Sequence, residues 1–237
     1  MTTAGDTYPI TPRNRVRREP TRGSYDHASV HAILDAAMLC HVSYVLDGQP
    51  FCTPTLHWRE GEMLYWHGSS ACRMIRHLAV GAPACPTVSH LDGLVMARSA
   101  FHHTVNYRAA MCFGTAHPVS DPAEKLHALR GMVERFYPGR FDALRPVTAQ
   151  EIKATGVIAM RIEDASAKAR TGGVGPAPED EGHPVWAGVI PVTTRIGADL
   201  PCPRMGRPLP RGGDLSRYPA GGELGQALTE LQRLYQG

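Results

Sequence analysis

Apolar positions along the chain alternate with polar ones in two periods, and the change from one to the other predicts the elements. Val30, Ile33, Leu34, Ala37 and Met38 recur three and four apart, which predicts a helix over 28–38 with Asp26 as its N-cap. The pattern then turns strand-like over 41–46, 50–58 and 63–67, with Asp47-Gly48 and Glu60-Gly61-Glu62 as turns. Gly68-Ser69-Ser70 interrupts this meander and leads into a helix over 71–80, where Met74, Ile75 and Leu78 share a face and Ser69 or Ser70 is expected to cap. Strands resume at 84–89. Asp92-Gly93 reads as a hairpin turn before Leu94-Val95-Met96, followed by strand positions around 105–113 and 116–119. Asp121-Pro122 opens a helix over 123–137 with Leu126, Leu129, Met132, Val133 and Phe136 as its buried stripe, and Tyr137-Pro138-Gly139 stops it. Thr148 with Glu151 forms a capping box for a short helix, and 157–162 is the last strand expected from the pattern.

Many strands at short spacing favour a closed or nearly closed barrel over an open sheet with long edges, so the fold class expected is mainly β (α+β), antiparallel, with flanking helices. A chain of 237 residues suits one core. The expected division is a flexible basic arm over 1–24, a barrel domain over 25–198, and a proline- and glycine-rich tail over 199–237. That tail ends in a helix marked by Leu224, Leu228, Leu231 and Leu234.

Composition narrows the function classes. With 43% hydrophobic residues and no apolar run near the roughly 18 residues that span a bilayer, no membrane role is expected. The first twenty residues lack the apolar core of an export signal, so a cytoplasmic protein is expected. Six scattered cysteines without a CxxC pair read as reduced thiols. A net charge of +3 gives no case for nucleic-acid binding. The local exception is Arg13, Arg15, Arg17, Arg18 and Arg22, which fall within ten residues beside prolines and read as a solvated arm, with a nucleic acid, an acidic partner or a neighbouring subunit as the lesser alternatives.

Chemistry concentrates between Asp92 and Gly114. Ser99, His102, His103, Thr104, Asn106, Tyr107 and Arg108 offer hydroxyls, two imidazoles, an amide and a guanidinium within ten positions. A second cluster, Ser69, Ser70, Arg73 and Arg76, sits at a strand-to-helix junction, where free backbone N–H groups favour an anion.

Four blocks in order, LYWHGSSACRMIRHL, DGLVMARSAFHHTVNYRAAMCFG, EKLHALRGMVERFYPGR and KARTGG followed by PVWAGVIPV, carry a resemblance. The chain resembles the pyridoxamine 5′-phosphate oxidase-like FMN-binding split barrels, in their flavin-nucleotide-binding branch. The resemblance implies a six-stranded split barrel, a homodimer with cofactor sites at its interface, and bound FMN. Its phosphate would meet Ser69, Ser70 and Arg73 at the end of the strand carrying His67. Ser99, Asn106, Tyr107 and Arg108 would line the phosphate, ribityl and ring edge. Thr53, Pro54 and Thr55 would face the pyrimidine edge, and Lys168, Arg170 and Trp186 would reach the isoalloxazine.

The resemblance leaves the reaction open. A flavin-dependent oxidoreductase acting on a small molecule is the first reading, with His102 or His103 as proton donor, since imidazole titrates near neutral pH. If their segment is extended, only one of the two can face the pocket. Some split barrels hold haem instead, for which His67, His102 and His103 are the candidate ligands. A non-catalytic flavin carrier or sensor is the third. No counterpart of the substrate-phosphate residues of true pyridoxamine phosphate oxidases is found, so vitamin B6 oxidation is not the expected reaction.

Overall fold

The computed structural model describes residues 6–204, 206 and 209–237. Chain order runs β1 (Gly23–Ser24), α1 (His27–Asp35), β2 (Leu39–Leu46), β3 (Gln49–Glu60), β4 (Met63–Ser69), α2 (Arg73–Leu78), β5 (Ala82–Met96), β6 (Thr104–Pro118), α3 (Pro122–Phe136), α4 (Ala149–Ala154), β7 (Thr155–Arg161), β8 (Asp164–Arg170), β9 (Gly188–Pro191) and α5 (Leu224–Gln236). Six strands close antiparallel in the order β2-β3-β4-β7-β6-β5, with β5 returning to β2 at Cys85–Thr87. The barrel splits along β6. Its residues Tyr107 to Phe113 pair with β8, whereas Ala116 to Pro118 pair with β7. β1 extends β8, and β9 adds to β5 at Gly93 to Met96.

Three of the caps expected from sequence form. Asp26 accepts from Ser29 N, Asp121 from Ala123 N and Glu124 N, and Thr148 with Glu151 completes a reciprocal capping box. The β2–β3 turn places both Asp47 and Gly48 at positive φ, as a tight hairpin requires.

Four expectations are corrected. Asp92-Gly93 is not a turn: β5 runs through it with a bulge, and the hairpin to β6 closes through 97–103. Gly93 is needed there for close approach, because a Cβ would meet Val189 Cγ1 at 3.1 Å and Ile190 O at 3.2 Å on β9. Neither Ser69 nor Ser70 caps α2. Cys72 holds that position without a side-chain bond, while Ser70 N is drawn to Ala154 O at 2.8 Å. The 157–162 segment is not the last strand, since β8 and β9 follow. In β8 residues Asp164 to Ala167 are all buried, so no alternation marks it as a strand. The fourth is the arm, whose described part (6–22) lies against β8 and α1 rather than loose: Tyr8 is 4% exposed and Asn14 1%.

Two cores result. Inside the barrel, Val30 and Leu34 of α1 pack with Val42, Trp66, Leu78, Cys112 and Met160. Outside it, Trp58 and Val157 meet Ala128 and Phe136 of α3 and Leu228 of α5. The tail therefore ends in a packed helix. Gly131 lets α3 approach α5, since a Cβ there would lie 2.5 Å from Tyr235 Oη. Beneath these helices Arg59 donates to both oxygens of Asp35, at 2.9 and 2.5 Å. Burial pushes the neighbouring Arg135 guanidinium down to about 10, and it donates to Asp35 O at 2.9 Å. No helix among the described residues is long and apolar enough to cross a membrane.

Candidate functional site

The predicted site residues fall into two groups on different walls of the barrel. The first lies on β3, β4 and α2. Thr55 Oγ1 donates to His67 O at 3.3 Å, tying the strands where the polar residues begin, and half-buried Thr53 lies two residues back on β3. The His67 ring sits 6.3 Å from the Trp58 ring. Burial lowers its pKa, so it is neutral at neutral pH, and its buried Nδ1 has no hydrogen-bond partner. Ser69, Ser70 and Arg73 are exposed beyond it.

Arg73 is not loose. Its guanidinium lies 3.9 Å from the centroid of the Phe51 ring, which stacks on Tyr44 at 5.6 Å and 21°. Tyr44 in turn meets His77 at 5.5 Å. This ladder holds a cation over an aromatic face while leaving its N–H groups free for an anion. Sequence reasoning missed the ladder, although the Asp47-Gly48 turn makes Tyr44 and Phe51 partners by simple counting along the hairpin.

The second group surrounds the β5–β6 hairpin end. Residues Ala100–His102 form a 3₁₀ turn, so the extended segment that would have sent His102 and His103 to opposite faces is absent. Both histidines attach to Ser99. The Ser99 hydroxyl and His102 Nδ1 are hydrogen-bonded at 2.9 Å, and His103 Nδ1 donates to Ser99 O at 2.9 Å. That bond holds the exposed His103 ring by its Nδ1. Asp180, from a loop the sequence reading did not use, lies 3.5 Å from His102 Nδ1. The acidic run Glu179-Asp180-Glu181 was the available signal.

Asn106 is buried on β6 and accepts from Arg170 Nη1 at 2.5 Å. Arg170 also donates to Gly172 O at 3.0 Å and Gly173 O at 2.8 Å, which locks its guanidinium in place. Tyr107 is the register partner of Arg170. Lys168 donates to Arg18 O at 2.9 Å. Trp186 is 63% exposed and covers Gly188, so it does not fill the barrel mouth. Arg108 is spent elsewhere: it donates to both oxygens of Asp92 at 2.9 Å, and that carboxylate occupies the fork a phosphate would use.

Among the described residues no hydrogen bond, ion pair or ring contact joins the two groups within one chain. Two open clefts, of about 520 and 560 Å³, lie beside α5 and α3 and are lined by none of the predicted residues. The outward positions of these strands include exposed Leu39, Val45, Leu94, Val105, Met111 and Ile190, with His41 exposed between the two on β2.

Residues 26–169 match the family model described as pyridoxamine 5′-phosphate oxidase. No curated protein sequence matches the chain. Among solved structures, the flavocytochrome Anf3 from Azotobacter vinelandii is 44% identical, with a TM-score of 0.83 over 89% of this chain and 98% of that one. An FAD- and haem-binding protein from Mycobacterium smegmatis is 38% identical, with a TM-score of 0.78 over 86% and 98%.

Proposed function

Since the chain belongs to the pyridoxamine 5′-phosphate oxidase family of split barrels, we propose that it is a redox protein that binds both a flavin and a haem. The observation that carries this reading is the near full-length similarity to two proteins described as binding a flavin together with haem. The sequence reading set FMN and haem as alternatives; the proposal joins them. The flavin is taken as FAD, because the 38% identical relative is described with FAD.

The residues fit both groups. A haem iron needs a neutral imidazole in apolar surroundings, and His67 offers a buried nitrogen without a partner beside Trp58. His102 and His103 already bond through Nδ1, and His103 is exposed. Arg73, Ser69 and Ser70 would be the anion contacts for a flavin phosphate, and the locked Arg170–Asn106 pair with Lys168 would be the polar edge for the ring. When bound, the flavin supplies two-electron and one-electron chemistry and the haem one-electron chemistry. Positive charge from Arg170 and Lys168 would favour negative charge on a ring bound at their edge, and His102, held by Ser99 and Asp180, would hold or pass a proton at Nε2.

A homodimer is part of the proposal. The exposed apolar side chains on the strands need a cover, and a second copy would bring the two residue groups together from opposite chains. Cytoplasmic placement agrees with six free cysteines. The test of the ligand assignment is a set of single variants, His67→Ala, His102→Ala and His103→Ala. The Soret band should vanish in the first and persist in the others, with flavin content unchanged; loss in either of the others instead would overturn the assignment.

A further inference from the structure

The cofactor reading leaves the N-terminal arm unused. Arg15, Arg17 and Arg18 are exposed, and among the described residues their side chains make no hydrogen bond or ion pair. On a loose tail such cations are simply solvated. Here the backbone beneath them is fixed. Tyr8 donates to Glu62 Oε2 at 2.6 Å. Asn14 accepts from Thr11 N at 2.7 Å and donates to Pro9 O at 2.8 Å and Ala165 O at 3.0 Å. Arg13 grips Glu163 and Asp164, each at 2.8 Å. Val16 N donates to Tyr25 Oη at 2.8 Å, and Lys168 holds Arg18 O. Glu19 then turns the chain in the left-handed region, at φ 53, a conformation that side chains disfavour and that surrounding contacts must enforce.

We propose that this ordered basic ledge is the docking surface for an acidic protein. Resting on the redox reading above, the partner is a one-electron carrier. Three unpartnered guanidiniums match surface carboxylates by charge-assisted, bidentate contacts. The ledge also borders the site, because β1 pairs Gly23 with Lys168, two residues before Arg170 on the same strand. A carrier seated there stands next to the strand assigned to the flavin ring. Each encounter moves one electron: the carrier is oxidised by one, the cofactor-loaded chain is reduced by one, and no bond is made or broken at the interface. A nucleic acid is the poorer match. Of the tyrosines near the arm, Tyr8 is buried and Tyr25 half-buried, so neither is an exposed ring on which bases stack.

The test titrates the purified holoprotein with an oxidised, acidic plant-type [2Fe–2S] ferredoxin, and separately with a short DNA duplex, over a range of salt. Ferredoxin binding should weaken steadily as salt rises. It should fall about tenfold or more in R15Q/R17Q/R18Q and be retained in R15K/R17K/R18K. Unchanged affinity in the glutamine variant would overturn the proposal, as would arginine-dependent binding of DNA without ferredoxin. Salt-sensitive docking without electron transfer from reduced ferredoxin would uphold the surface and overturn the carrier role. Absence of bound flavin and haem would instead count against the redox reading, leaving the docking result to stand by itself.

Discussion

Single side chains decide which of the recognisable chemical groups are available. Residue type and spacing picked out Ser99, His102 and Arg73, and the family resemblance added Arg170; Arg73 is exposed and Arg170 is locked by two loop carbonyls. Spacing could not tell that Arg108 is consumed by Asp92, because that pairing depends on the bulge aligning β5 with β6. Arg73→Ala should weaken flavin retention by about tenfold or more, the scale of one charge-assisted contact to a phosphate, read by fluorescence titration of the apoprotein; unchanged affinity would remove Arg73 from the phosphate site. His57 makes a prediction of stability. Burial pushes it down to about 4 from 6.5, with one ring nitrogen on Leu34 O and the other without a partner. Between those values the unfolded chain binds a proton that the native chain refuses, so stability is complete above the upper value and falls as pH drops toward the lower. Urea midpoints measured from pH 7 to 4 should decline, and His57→Gln should flatten that decline.

At the scale of elements, the helices with strong caps and the β2–β3–β4 meander were legible because period, turn and cap agree. Where they failed, tertiary contacts had overridden local signals. Asp92-Gly93 carries a turn signature inside a continuous strand, since β9 needs the missing Cβ. β8 carries no alternation because both its faces are covered. The C-terminal helix was visible in its leucines, but not what it covers. Leu228 and Leu231 are fully buried, Leu228 against α3 and the sheet, so Leu228→Ala should destabilise the protein by about 2–5 kcal/mol in urea unfolding. A loss below about 0.5 kcal/mol would mean that the helix is not docked in solution.

For the whole molecule, the barrel was legible from strand count alone and its split character from the four sequence blocks, while the relation between the two residue groups was not. Each group belongs to one wall, and several large apolar side chains on the strands, Val105 and Met111 among them, are exposed in a single chain. A dimeric mass in light scattering is expected, and a Val105→Glu/Met111→Glu variant should be monomeric with depleted flavin. A monomeric wild type that retains flavin would contradict the shared site. The most direct measurement is the visible spectrum of the freshly purified protein, with the extracted cofactors identified by chromatography. The account predicts flavin bands and an intense Soret band together, with FAD and haem in the extract; a protein that takes up neither after reconstitution with both would contradict it.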